Sequence, residues 1–359
     1  MKALTLHELG DLRIDETAVP HPGENEALVA VRAAGICGSD IPRTYKTGAY
    51  FYPLIPGHEF SGIVESIGAG VDSRWRGKRV GVFPLIPCRT CMPCRKKQYE
   101  MCRHYSYLGS RRNGGFAEYV AVPSDNLIEL AEDISYEQAA MMEPMAVAVH
   151  AIRKAGIGTG KKDTILRIAV CGLGTIGMLL VQFLLDSRKQ QGIGADNIFV
   201  IGNKEFQKQT VLNMGIPESC YIDGAKTDVG SRLSELTGEA GVDVFFECVG
   251  KNETISMAVD NTAPAGRIVL TGNPASDISL SQSVYWKILR NQLTIAGTWN
   301  SSFTGSCDDD WHYVCDRLLQ KAIMPERLIT HRYSLENLGQ GFEIMRDKTQ
   351  DYVKIMGIM

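Results

Sequence analysis

Apolar residues follow two different rhythms along the chain. Over roughly the first 150 residues, short runs such as Ala27-Leu28-Val29-Ala30-Val31 and Gly62-Ile63-Val64-Glu65-Ser66-Ile67 stand between Gly- and Pro-containing turns, which predicts a β-rich region. From about Thr164 the pattern changes. Ile165-Leu166-Arg167-Ile168-Ala169-Val170 is strand-like, and a glycine turn and a helical pattern over 175–185 follow it. Ile198-Phe199-Val200-Ile201, Val242-Asp243-Val244-Phe245-Phe246 and Arg267-Ile268-Val269-Leu270 come next, each set apart by a helix-length segment. Strands alternating with helices predict a parallel, doubly wound sheet. The stretch 187–197, between the first of these helices and the second strand, is expanded. The last part of the chain carries a capped helical pattern and closes on Tyr352-Val353-Lys354-Ile355-Met356. Neither an internal repeat nor a low-complexity tract interrupts these patterns.

The chain has 359 residues, 44% hydrophobic and 22% charged. At roughly 150 residues per domain that length predicts two domains, and the composition excludes a disordered or collagen-like chain. A formal net charge of −3 argues against a nucleic-acid-coating protein. Residues 1–8 lack the apolar core of a signal peptide, and no stretch approaches the roughly 20 apolar residues that span a bilayer. The expectation is therefore a cytoplasmic protein without membrane or nucleic-acid partners. Of its 10 cysteines, Cys88, Cys91, Cys94 and Cys102 crowd one segment, while Cys37, Cys171, Cys220, Cys248, Cys307 and Cys315 are scattered. Such a distribution reads as a metal site plus single thiols, not as a disulfide framework.

Gly172-Leu173-Gly174-Thr175-Ile176-Gly177 fits G-x-G-x-x-G and lies between a predicted strand and a predicted helix. This is the context in which the motif carries a dinucleotide pyrophosphate on a helix N-terminus. At the end of the second strand, where a carboxylate is expected to hold a ribose 2′-hydroxyl, the chain reads Ile201-Gly202-Asn203-Lys204. Gly202 removes the charge that would repel a 2′-phosphate and Lys204 supplies a positive one. The expected cofactor is NAD(P), with NADP favoured; a solvated Lys204 that admits either cofactor is the plainer alternative.

Cys88-x2-Cys91-x2-Cys94-x7-Cys102 has the short spacings that let a loop wrap a tetrahedral zinc, and four protein thiolates make such a site closed and structural. An iron–sulfur cluster is the competing reading, and a nucleic-acid-binding zinc knuckle a more distant one. Cys37-Gly38-Ser39-Asp40 and Gly57-His58-Glu59 offer a second ligand set, with a further carboxylate in Met142-Glu143-Pro144. A lone His58 would more often be a buried, satisfied histidine; its company is what raises it, though spacing alone does not bring these residues together.

Gly57-His58-Glu59 with Gly62, the Cys37 turn, the four-cysteine lobe, Gly114-Gly115-Phe116-Ala117-Glu118-Tyr119 and the glycine turn together resemble the zinc-dependent medium-chain alcohol/polyol dehydrogenases over essentially the whole chain. Ile41-Pro42-Arg43, Tyr52-Pro53, Gly109-Ser110-Arg111-Arg112, Glu143-Pro144 and Lys287-Ile288-Leu289-Arg290 narrow the resemblance to members that act on phosphorylated polyols. The resemblance implies an α/β protein: a GroES-like β-rich catalytic domain (1–150 and 297–359, with a zinc lobe at 84–104) and an inserted Rossmann domain (151–296). It implies two Zn²⁺ per chain. Cys37, His58 and Glu143 would hold the catalytic ion with Glu59 as an alternating or water-linked ligand, and the four-cysteine set would hold the structural one. Cys248, Val249, Thr271 and Thr298 would complete the cofactor site begun by Gly172, Gly174, Thr175, Ile176, Gly177, Gly202, Asn203 and Lys204.

The implied reaction is hydride transfer between a secondary alcohol of a polyol phosphate, of the galactitol 1-phosphate kind, and NAD(P), with Ser39 passing the hydroxyl proton onward. A dehydrogenase of free polyols, other secondary alcohols or L-threonine is the alternative within this chemistry, and a non-enzymatic zinc-knuckle protein lies outside it. Two departures from the family pattern stand out: Pro42 where many members carry a relay histidine, and Gly202 where an acidic residue is usual. Arg43, Lys46 and Tyr50 are the expected contacts to a substrate phosphate, with a solvated surface role as the alternative; Arg111 and Arg112 are weaker candidates. The family further implies a homodimer or homotetramer, with Leu293-Thr294-Ile295-Ala296 positioned to pair across subunits.

Overall fold

The computed structural model describes residues 1–157, 166–191, 193–274 and 276–359. It divides into two compact units, one of Met1–Ala146 with Ser301–Met359 and one of Val147–Asn300.

The first unit is built on a seven-stranded sheet in the order Ile329–Ser334, Lys354–Ile358, Glu26–Ile36, Glu59–Ile67, Arg79–Val82 and Leu127–Glu129, with Tyr119–Pro123 also paired to Glu26–Ile36. Glu26–Ile36 is nearly continuous in small and β-branched apolar residues and is buried almost throughout. A strand covered on both faces needs that composition. Its final residues pair antiparallel with both Glu59–Ile67 (Gly35 opposite Glu59) and the C-terminal strand (Ile36 opposite Ile355). Residues far apart in sequence therefore converge on one sheet end. Val29, Val31, Phe60, Val80, Phe116, Phe342 and Ile355 are fully buried in the core behind it, with Phe116 and Phe342 meeting edge to face at 5.7 Å. The predicted helix near the end runs Asp310–Leu319, capped by Asp309, whose carboxylate accepts from the His312 N–H at 2.9 Å. Trp311 on this helix packs against Phe83, with ring centroids 5.5 Å apart.

The second unit is a six-stranded, wholly parallel sheet in the order Tyr221–Asp223, Ile198–Gly202, Ile168–Cys171, Val242–Glu247, Thr262–Leu270 and Thr294–Gly297. Numbered along the chain this order is 3-2-1-4-5-6, which reverses direction between Ile168–Cys171 and Val242–Glu247; ligands of doubly wound sheets bind outside the strand ends at such a point. The first strand begins at Ile168, and the expected start at Ile165 lies outside the described residues. Its helix runs Thr175–Gln191, well past residue 185. Much of the expanded stretch is thus additional helix, which the apolar pattern alone did not mark. No helix of the described residues is long and apolar enough to cross a membrane.

Candidate functional site

In the cysteine lobe, a short helix Met92–Arg95, with Pro93 in its first turn, turns the chain so that the sulfurs of Cys88, Cys91, Cys94 and Cys102 all lie within 4.8 Å of one another. Cys88–Cys94 is 4.0 Å, Cys91–Cys94 3.4 Å and Cys91–Cys102 3.9 Å. Four Zn–S bonds of about 2.3 Å in a tetrahedron require sulfurs about 3.8 Å apart, so the donor set fits a structural zinc. The thiols are electrostatically unequal: hydrogen bonds from Thr90 and the backbone bring Cys88 down to about 5, whereas burial pushes Cys94 up to about 12. A divalent cation is what lets all four be thiolates together. Cys94→Ser is expected to remove one zinc from elemental analysis and to lower the melting temperature; an unchanged metal content would contradict the assignment.

The second set forms where strands Glu26–Ile36 and Glu59–Ile67 lie side by side. Cys37 follows the first, and His58 and Glu59 open the second, so that their ligand atoms also fall within 4.8 Å of each other. Asp40 is fully buried behind them, accepting from the Cys37 N–H at 3.0 Å and from Arg43 Nη1 at 2.6 Å, with His58 Nδ1 3.5 Å away. Burial pushes its carboxyl up, but the charges and hydrogen bonds of His58, Arg43 and Cys37 outweigh this and hold it below the usual carboxylate range. The Asp40 carboxylate stands beside Nδ1 at ion-pair distance with no hydrogen bond formed there, which leaves Nε2 as the nitrogen for a metal. Ser39 Oγ donates to Cys37 Sγ at 3.3 Å.

Glu59 is almost wholly buried and ion-paired through Oε2 to Lys354, which also donates to the Ile36 carbonyl at 2.9 Å. Lys354 was not singled out from the sequence; a lysine inside an otherwise apolar closing strand was the available signal. Gly35 makes the pair possible, because a Cβ there would strike Glu59 Oε2 and lie 2.6 Å from Lys354 Cε. Glu143, in the first turn of helix Met142–Lys154, stands outside the close trio: Tyr107 donates to its Oε1 at 3.2 Å, and burial raises its carboxyl to about 7. The close trio among the described residues is thus Cys37, His58 and Glu59, where the family pattern led us to expect Glu143 in the primary set. Tyr107, edge-on to His58 at 5.7 Å between ring centroids, was also missed.

The expected phosphate contacts separate. Arg43, expected as a substrate cation, gives its Nη1 to buried Asp40 and thereby supports the metal turn. Lys46 and Tyr50 are exposed.

In the second unit the three motif glycines differ in surroundings. Gly172 has φ +97°, and a Cβ there would lie 2.6 Å from Val249 Cγ2. A Cβ on Gly177 would collide with the Gly172 carbonyl, whereas Gly174 has nothing within 4 Å. The turn is therefore tight, closely packed on its helix and open in the middle, which is the cradle a pyrophosphate needs. Thr175 and Ile176 open the following helix. Thr298 Oγ1, just past the last strand, is buried without a hydrogen-bond partner among the described residues, as a polar atom awaiting a ligand would be. Thr271 lies beside Cys248, whose thiol is pushed well up by burial and the Glu247 charge. Glu247, unremarked in the sequence, is fully buried and accepts at Oε1 from Val249 N, Gly250 N and Thr254 Oγ1 at 2.8, 2.9 and 2.7 Å, so it fixes the loop that carries Cys248 and Val249. At the specificity position, Gln207 joins the Asn203 N–H (3.2 Å) to the Leu173 carbonyl (3.0 Å), and a Cβ on Gly202 would lie 2.9 Å from Leu173. Lys204 Nζ sits 5.4 Å over the Phe206 ring.

A GroES-like β-rich unit carrying two metal-ligating sets, together with a parallel unit carrying a dinucleotide turn, defines a zinc-dependent dehydrogenase. The sequence model of the alcohol dehydrogenase GroES-like domain matches residues 23–132 and that of the zinc-binding dehydrogenases residues 176–320. The chain belongs to the zinc-dependent medium-chain dehydrogenases and is an enzyme. It is 32% identical to galactitol 1-phosphate 5-dehydrogenase of Escherichia coli K12 over 341 residues, 95% of each chain. A crystal structure of galactitol-1-phosphate dehydrogenase from Escherichia coli superposes with a TM-score of 0.89 at 31% identity, covering 100% of both chains. A zinc-binding dehydrogenase from Sinorhizobium meliloti 1021, bound to NADP, superposes with a TM-score of 0.87 at 26% identity, covering 100% of this chain and 99% of the other.

Proposed function

We propose that this enzyme oxidises the secondary alcohol of a polyol phosphate of the galactitol 1-phosphate kind to the keto-sugar phosphate, reversibly, with NAD(P) and a preference for NADP. The observation that carries the reading is the close trio of half-buried Cys37 and buried His58 and Glu59, backed by Asp40 and Lys354, in a chain 32% identical to a galactitol 1-phosphate 5-dehydrogenase over nearly its full length. Cys37 and His58 would hold the catalytic zinc together with Glu59 or Glu143, which alternate as ligands; the Glu143 carboxyl feels the charges of both His58 and Glu59. When bound, zinc polarises the substrate hydroxyl and the nicotinamide accepts the hydride.

The chain's own residues do the rest. Asp40 orients His58, and Lys354 holds one oxygen of Glu59 so that the other faces the site. Ser39 Oγ, which donates to Cys37 Sγ here, has lone pairs that accept a hydrogen bond from the substrate hydroxyl, and it relays the proton by turning its own O–H to water and releasing that hydrogen as it takes the substrate's. Gly174 and the N-terminus of Thr175–Gln191 would take the pyrophosphate, and Thr298 Oγ1 would meet the cofactor at the far strand ends. The missing carboxylate at Gly202 and the charge of Lys204 favour a 2′-phosphate. Ten free cysteines suit a reducing, cytoplasmic setting.

Initial rates with galactitol 1-phosphate and free galactitol, each with NAD and NADP, test the reading. A kcat/KM strongly favouring the ester with NADP is expected. Equal or better rates with the free polyol would replace the proposed substrate with an unphosphorylated polyol.

We also propose a homodimer or a tetramer made from it. Among the described residues Thr294–Gly297 is an edge of the parallel sheet, Ile295 on it and Trp299 just after it are exposed, and so are Tyr285, Trp286 and Leu289 of the preceding helix Gln282–Arg290. An open edge flanked by apolar side chains is a pairing surface. Ile295→Lys is expected to shift the mass measured by light scattering to that of a monomer; an unchanged mass would place the interface elsewhere.

A further inference from the structure

The turn after Tyr107 carries a guanidinium, that of Arg111, held among aromatic rings. The backbone N–H groups of Arg111 and Arg112 both donate to the Tyr107 carbonyl, at 2.9 and 3.0 Å. At the base of this turn Gly109, φ +78°, lies so close to Gly57 that a Cβ would be 2.5 Å from the Gly57 carbonyl oxygen. Gly57 precedes His58, and two residues span at most about 7 Å from Gly109 to Arg111. The side chain is held by two aromatic rings, with Arg111 Cζ 4.2 Å from the Tyr105 ring centroid and 4.4 Å from that of Tyr50, and Nη2 donating to Tyr50 Oη at 3.1 Å. Tyr105 meets Tyr107 edge-on at 6.2 Å, and Tyr107 touches both His58 and Glu143. A continuous run of side chains thus leads from the candidate metal ligands to this cation.

Three other cations of this unit are already paired. Arg43 is bound to Asp40, Arg112 to Glu26 at 2.5 Å, and Lys354 to Glu59. Arg111 has no carboxylate partner among the described residues; its side chain contacts Tyr50 and Tyr105. A guanidinium with five donors, one of them on a phenol and its flat surface against rings, presents the remaining in-plane N–H groups to an anion, and a phosphate matches that fork. Tyr50, accepting from Arg111, keeps its own hydrogen for a second phosphate oxygen.

We propose that Arg111, positioned by Tyr50 and Tyr105, binds the phosphate end of the substrate, at the opposite end of the polyol from the carbon that is oxidised. This rests on the polyol-phosphate reading above. The test compares zinc-loaded, full-length wild type with Arg111→Met, Arg111→Lys and Lys46→Met, on galactitol 1-phosphate and galactitol. Arg111→Met is expected to lower the ratio of kcat/KM for the ester over the free polyol by about 10- to 100-fold, through KM more than kcat, with Arg111→Lys recovering part of it. Inorganic phosphate, a competitive inhibitor of the wild type in this account, should inhibit Arg111→Met more weakly. An unchanged ratio in Arg111→Met overturns the assignment, and a fall confined to Lys46→Met moves the phosphate to that lysine. A wild type without preference for the ester overturns the substrate reading and the Arg111 role with it. Should Arg111→Met unfold, Arg111→Lys decides by the same ratio.

Discussion

Cys37→Ser is expected to abolish turnover, by about 10³-fold or more, while leaving the dinucleotide bound with its wild-type affinity. The expected loss follows from what sulfur does at this position. Cys37 Sγ lies in the trio with His58 and Glu59 and also accepts from Ser39, so the substitution weakens the metal site and displaces the proposed proton acceptor together. Lewis-acid stabilisation of a developing alkoxide is worth several kcal/mol, and each 1.4 kcal/mol is about tenfold in rate. The glycine turn belongs to the other unit and folds on its own sheet. Cofactor fluorescence titration alongside rate measurement separates the two effects. A variant that retains both zinc ions and most of its activity would remove Cys37 from the catalytic set.

The other large effect is expected at Lys354. In zinc-free protein, Lys354→Met strands Glu59, which is 1% exposed, as an unpaired carboxylate at the crowded meeting of three strands. Removing one partner of a buried ion pair costs about 3–5 kcal/mol. At roughly 2–4 °C per kcal/mol for a unit of this size, the melting temperature should fall by on the order of 10 °C. Adding Glu59→Gln should return part of that stability, because the stranded charge is gone. Gly35→Ala should act in the same direction as Lys354→Met, since its methyl group enters the space the pair occupies. A Lys354→Met protein as stable as the wild type would mean that Glu59 has another counter-charge.

What was legible in the sequence, and what was not, follows the range of the interaction. The cysteine lobe and the glycine turn are local: a few residues of spacing decide them, and the sulfur separations and the three glycine environments agree with the local reading. The helix after the turn was read too short, because its continuation to Gln191 does not depend on a sustained apolar face. The supports of the metal trio were out of reach for a different reason. Lys354 meets Glu59 only through the antiparallel register of strands separated by most of the chain, and Tyr107 reaches Glu143 from another segment again. Arg43 and Arg111 show how proximity in sequence misleads. Arg43, beside the metal turn, is neutralised by Asp40, while Arg111, more than fifty positions from His58 in sequence, is returned to its side by the packing of Gly109 on Gly57.

In the proposed reaction, oxidation of the alcohol depends on a metal at Cys37, His58 and Glu59. Zinc content and initial rate of nicotinamide reduction, followed in one sample during stepwise chelation and zinc restoration, test it most directly. Activity is expected to fall with loss of the ion from this trio, while the cysteine lobe still holds its own, and to return when zinc is restored. Full turnover in protein that keeps zinc in the lobe alone would contradict it.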